Sequence, residues 1–115
     1  MKSTVIVPSP EASEAYSVLE KQAPTSKISR SILNGLKKKS DLIKADIHYG
    51  DSIAKSLIPQ EYILKYNVTN LFRVELPNFW RMLYTIKAKD AEIAIVILDI
   101  LDHDEYNKKF GYRKK

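Results

Sequence analysis

Residues 93–98 read Ile-Ala-Ile-Val-Ile-Leu, six apolar side chains in succession. Branching at Cβ stiffens χ1 and suits a pleated strand better than a helix. The turn Ala88-Lys89-Asp90 precedes this stretch, so residues 92–101 have the length of a strand rather than of a buried helix. A strand with one wet face alternates polar and apolar residues, whereas an unbroken apolar run needs cover on both faces. Residues 92–101 are therefore expected as a central strand, and the chain must supply a sheet around it.

The two preceding segments alternate with period two. In residues 71–76, Phe72, Val74 and Leu76 share one face, and Leu71, Arg73 and Glu75 share the other. Pro77-Asn78 turns the chain. In residues 79–87, Trp80, Met82, Tyr84 and Ile86 oppose Phe79, Arg81, Leu83 and Thr85. Short connections between such segments predict antiparallel hairpins.

The first half of the chain reads differently. Val5-Ile6-Val7, stopped by Pro8, predicts a short strand. Ser9-Pro10-Glu11 is a helix start: the serine caps free N–H groups, the proline has none to lose, and the glutamate faces the positive dipole end. Ala12, Ala15, Tyr16 and Leu19 give that helix its apolar face, and Ala23-Pro24 ends it. Thr25 or Ser26 caps a second helix, with Ile28, Ile32, Leu36 and Ile43 on one side and Lys27, Arg30, Lys37, Lys38 and Lys44 elsewhere. Residues 45–70 lose periodicity and read as loop, with a short strand expected at 62–66 and a turn at 67–70. The expected fold is α+β in the order β-α-α-β-β-β, with two N-terminal helices on one side of a small, mainly antiparallel sheet.

A chain of 115 residues, 44% hydrophobic, suits a single domain spanning 1–115. The absence of cysteine excludes disulfide scaffolds, thiolate metal sites and cysteine nucleophiles, and makes the cytoplasm the expected compartment. The first apolar run is too short for a signal-peptide core or a membrane span, so no membrane partner is expected. A net charge of +5 favours polyanionic partners, among which RNA, DNA and an acidic protein all stay open. The run Lys37-Lys38-Lys39 reads either as RNA-binding or as a solvated helix end that complements the dipole.

Leu71-Phe72-Arg73-Val74-Glu75-Leu76 followed by Trp80-Arg81-Met82-Leu83-Tyr84 resembles the RelE/ParE superfamily of type II toxins, in which a "YRVRV" strand precedes a "YRLVY" strand. The apolar strand that ends in Leu101-Asp102-His103, with Tyr106 soon after, is similar to the terminal "HRxxVY" segment of that family. Tyr49-Gly50 and Lys55-Ser56-Leu57 stand where the family often has a glycine and then a "K-L-K/R-G" segment. The resemblance covers nearly the whole chain in element order. It implies a microbial-ribonuclease-like fold, a cognate antitoxin and, for RelE-type members, cleavage of mRNA on the ribosome. ParE-type members instead inhibit DNA gyrase, and a fold alone does not choose between such activities.

Metal-free RNA cleavage needs a base for the 2′-hydroxyl, cations for the charged phosphorane and a proton for the leaving oxygen. No cofactor or metal is implied. The resemblance assigns phosphate stabilisation to Arg81 and Arg73, with a strand arginine paired to Glu75 as the alternative for Arg81. Glu75 stands where some RelE members carry lysine, and a carboxylate there is a candidate base. His103 is the acid/base candidate because imidazole titrates near neutrality; the alternative is a capping histidine after Asp102. Tyr106 and Tyr112 compete for the family's C-terminal tyrosine, and either can instead pack on the sheet. Lys55 resembles the family's upstream lysine, and with Lys108, Lys109 and Arg113 it makes up the expected RNA-binding set. Asp99, Asp102, His103, Asp104 and Glu105 offer a weaker metal alternative, since successive residues at a strand end point in opposite directions.

Overall fold

The computed structural model describes residues 3–111. Tyr112 and Arg113 lie outside the described residues.

The expected central strand is there: β5 (Glu92–Leu101) pairs on one side with β4 (Arg81–Lys89) and on the other with β1 (Ser3–Pro8). β3 (Phe72–Glu75) and the two-residue β2 (Asp51–Ser52) complete a sheet of order β1-β5-β4-β3-β2. β1 runs parallel to β5 and the other pairs are antiparallel, so the sheet is mixed. Such a parallel pair needs a crossover between its strands. Residues 9–91, with everything from α1 to β4, form that crossover.

The helical hairpin has the expected capping chemistry. α1 (Pro10–Gln22) starts at Ser9, whose Oγ accepts from the Ala12 N–H at 3.0 Å. α2 (Lys27–Ala45) starts at Ser26, whose Oγ accepts from the Ser29 N–H at 3.1 Å. Ala12, Leu19, Ile32, Leu36 and Ile43 pack on one face of the sheet, against Phe72, Val74, Met82, Tyr84, Ile95 and Ile97 among others. Ile28, expected in that stripe, is 57% exposed in the first turn of α2 and stays out of the core.

Three expectations are corrected. Helices cover both faces of the sheet: α3 (Gln60–Tyr66) and α4 (His103–Lys109) form a second core with Ile58, Tyr62, Val68, Leu71, Leu83, Leu98, Leu101 and Tyr106. Residues 62–66, read as a short strand, belong to the helix α3, which ends at Asn67 in the left-handed conformation (φ 54°). The order β-α-α-β-β-β therefore gains β2 and α3 before β3 and α4 after β5. The physical reason is the one the apolar run imposes on β5: residues on its second face need partners, and α3 and α4 provide them.

A β-bulge shapes that second face. Leu83 pairs with Asp99 and Tyr84 with Ile97, so Leu98 is an extra residue on β5. Leu98 and Asp99 consequently both point to the side of α3 and α4. Ser9 holds the bulge from the far side, its Oγ donating to the Leu98 carbonyl at 2.7 Å and its N–H to the Ile97 carbonyl at 2.8 Å. Among the described residues no helix is long and apolar enough to cross a membrane.

Candidate functional site

Period-two alternation carries Arg73 and Glu75 on β3 and Arg81 on β4 to the second face, where register sets Glu75 opposite Arg81. Both guanidinium groups converge on that carboxylate. Arg81 Nε lies 3.2 Å from Glu75 Oε1, and Arg73 Nε lies 3.5 Å from Oε2. The two Nε atoms are buried and meet Glu75 at ion-pair distance without hydrogen-bond alignment. Arg73 also reaches Asp51 at 3.4 Å, across the β2–β3 pair.

Tyr106 joins this cluster from α4. Its ring is buried in the second core, tilted against Phe110 with centroids 4.6 Å apart. The Arg81 guanidinium carbon lies 5.2 Å from the Tyr106 ring centre, a cation–π arrangement. Tyr106 Oη accepts from Arg73 Nη1 at 3.3 Å. That bond, ahead of the opposing cost of burial, holds the Arg73 guanidinium protonated above its ordinary value. One phenol thus touches both cations.

α4 owes its position to local chemistry at its start. Asp102 is the N-cap, accepting from the Glu105 N–H at 2.8 Å, while the Glu105 carboxylate accepts from the Asp102 N–H at 3.0 Å. This reciprocal capping box satisfies two N–H groups of the first turn. Its far end is clasped by Lys109, whose Nζ lies 2.9 Å from Glu61 and 3.4 Å from Asp99. Asp99 in turn accepts from Tyr62 Oη at 2.5 Å. The bulge, by aiming Asp99 at this face, makes the clasp between α3, α4 and β5.

The sequence-derived residues divide accordingly. Arg73, Arg81 and Tyr106 come together around Glu75. His103 occupies the first turn of α4, exposed, with Nε2 3.2 Å from the Asn107 side chain and its ring 6.4 Å from that of Phe79. It meets Asn107 and Phe79 rather than the two arginines. Phe79, 74% exposed, belongs to the turn Pro77–Phe79, where Asn78 and Phe79 both have left-handed backbone (φ 62° and 63°). A bulky residue there is strained, and Arg81 Nη1 donates to the Phe79 carbonyl at 2.5 Å.

Lys55 is exposed in a 3-10 turn, Lys55–Leu57, and Lys108 is exposed on α4. Lys109 is committed to Glu61 and Asp99. Tyr112 and Arg113 fall outside the described residues. Of the acidic stretch, Asp102 and Glu105 form the capping box, Asp99 joins the clasp and Asp104 lies in the first turn of α4; among the described residues no group of three or more His, Cys, Asp or Glu side chains is placed to hold a metal ion. Sequence reasoning missed Asp51 and the Asp99–Tyr62–Lys109 clasp. The pairing of Asp102 with Glu105 three residues on was a visible helix-start signal for α4.

No protein-family model, no curated protein and no solved structure matches the chain.

Proposed function

We propose that this chain is a toxin of the RelE type, a metal-free endoribonuclease that cuts mRNA on the ribosome and is silenced by a cognate antitoxin. The observation that carries the reading is the meeting of Arg73, Arg81 and Tyr106 around the Glu75 carboxylate on one sheet face. Those groups supply each chemical requirement of transphosphorylation. Glu75 takes the proton of the 2′-hydroxyl, whose oxygen forms the new bond to phosphorus. Arg73 and Arg81 neutralise the phosphorane oxygens. The P–O5′ bond breaks as Tyr106 Oη gives its proton to the leaving oxygen, producing a 2′,3′-cyclic phosphate and a 5′-hydroxyl end. Proton return from Glu75 to Tyr106 resets the site. His103, on the rim beside Phe79, has no step in this scheme.

Ribosomes programmed with a defined mRNA, incubated with the purified protein, test this directly. Cuts with cyclic phosphate ends are expected. Intact message in the presence of folded protein overturns the reading.

A second reading has its own observation: two guanidinium groups meet two carboxylates, Glu75 and Asp51, leaving the cluster without net charge. That balance favours a protein that only binds a partner on the same scaffold, a ParE-like inhibitor of DNA gyrase or a toxin retaining antitoxin binding alone. Inhibition of gyrase supercoiling with uncut mRNA supports it.

A further inference from the structure

The outer edge of β3 opens beside the arginine pair into a pocket of about 240 Å3, lined by Lys39 and Tyr49 on one side and by Asp51, Arg73 and Glu75 on the other. β2 covers this edge only as far as Arg73, which pairs with Asp51. The Ile53 N–H donates to the Leu71 carbonyl across the same edge. Peptide groups alternate along a strand, so Leu71, Arg73 and Glu75 aim theirs to this side. Glu75 lies past the end of β2, and its N–H and C=O project from the uncovered edge beside Tyr49.

The platform next to it is held firmly. Tyr84 Oη donates to the Ile47 carbonyl at 2.8 Å and accepts from the Gly50 N–H at 2.9 Å, pinning the segment that carries Tyr49 to a fully buried core residue. A Cβ on Gly50 would lie 2.9 Å from Tyr84 Cε1 and 3.0 Å from the Arg73 carbonyl oxygen, so this close seat requires glycine. Lys39 Nζ is 3.1 Å from Tyr49 Oη and 5.3 Å from the ring centre, a position at the phenol end rather than above the ring. Tyr49 as a whole is 39% exposed.

We propose that this pocket receives the nucleobase next to the scissile phosphate, stacked on Tyr49 and read by the peptide group of Glu75. The inference rests on the ribonuclease reading and gives that site its substrate contact beyond the phosphate. Lys39 and Arg73 balance Asp51 and Glu75 in charge, which suits an uncharged heterocycle better than a second phosphate. The volume lies under the ~300–1,000 Å3 usual for drug-sized ligands and fits one flat ring system. Aromatic stacking tolerates every base, and a backbone donor–acceptor pair adds selectivity among base edges. Lys39 belongs to the basic run of α2, whose role the cleavage chemistry leaves unassigned.

The test is titration of the whole protein with 3′-GMP, 3′-AMP, 3′-CMP and 3′-UMP, and with ribose 5-phosphate as the control without a base. Binding is followed by NMR at the Tyr49 ring and the Glu75 amide. At least one nucleotide should bind roughly ten-fold tighter than ribose 5-phosphate. Tyr49→Ala should erase that gap, and Tyr49→Phe, which keeps the ring, should preserve it. Equal affinity for all five compounds, or a gap that survives Tyr49→Ala, overturns the proposal. The mRNA assay separates the two failures: cleavage by a protein indifferent to the base sinks the pocket alone, and base binding without cleavage sinks the nuclease.

Discussion

Glu75 and Arg81 face each other directly across β3 and β4, with Oε1 and Nε 3.2 Å apart. If this carboxylate is the base and this guanidinium the phosphate clamp, two isosteric or charge-conserving changes separate their roles. Glu75→Gln keeps the shape and removes the base, and mRNA cleavage should fall by ~10²- to 10⁴-fold. Arg81→Lys keeps the charge and loses the planar fork, and should cost ~10²- to 10³-fold. Rates measured beside urea unfolding midpoints check both. Wild-type rates in either variant would remove that residue from the chemistry.

The Tyr62–Asp99 bond should matter to stability more than to chemistry. Tyr62→Phe leaves Asp99 buried with Lys109 alone and should lower unfolding free energy by ~1–3 kcal/mol. Burial, with the hydrogen bond to Asp99 second, pushes the Tyr62 phenol far above its ordinary value of 10.0. The neutral phenol is then the form that folding favours. This contribution is complete below pH 10.0 and declines as the pH climbs above it. Absorbance titration should show Tyr62 ionising together with alkaline unfolding rather than before it.

Acid stability should depend on Glu11. Side-chain hydrogen bonds from Lys65 and then Tyr66 hold its carboxyl down from 4.5 to about 2, joining the first turn of α1 to the end of α3. A depressed carboxyl pKa stabilises the fold above the unfolded value and loses that contribution as the pH falls. The window runs from 4.5 down to about 2. Solvent screening of this exposed pair keeps the effect small. Urea midpoints at pH 6 and pH 3 should fall further for the wild type than for Glu11→Gln.

Gly35→Ala tests the contact between α2 and the turn before β4. Alanine is the better helix former by ~1 kcal/mol. Here, however, its Cβ would lie 2.5 Å from Pro77 Cδ, in a packed and buried site. Net destabilisation of ~1–3 kcal/mol is expected. A stabilised variant, measured by urea unfolding, would show that the turn gives way without cost.

Much of the sheet was legible because strand alternation is a property of neighbours in the chain. Phe72, Val74, Met82 and Tyr84 on one face, and Arg73, Glu75, Arg81 and Leu83 on the other, follow from the residues themselves. α3 was not legible. Its seven residues follow Pro59, which offers no side-chain cap, and bury only Tyr62, which is too little to show a helical period. The bulge at Leu98 has no glycine or proline to announce it, and residues 97 and 98 read as ordinary members of an apolar run.

The candidate site splits along the same line. By itself the sequence determined a strongly apolar central strand, a capped helical hairpin, and two arginines sharing a face with Glu75, all consequences of periods and caps spanning a few residues. Only the tertiary structure decided that α4 folds back over that face, that Tyr106 meets both guanidinium groups while His103 points to the rim, and that Asp99 faces inward. Those outcomes depend on where α3 and α4 dock and on a one-residue register shift. Both are settled by contacts between segments far apart in the chain, on which local patterning is silent.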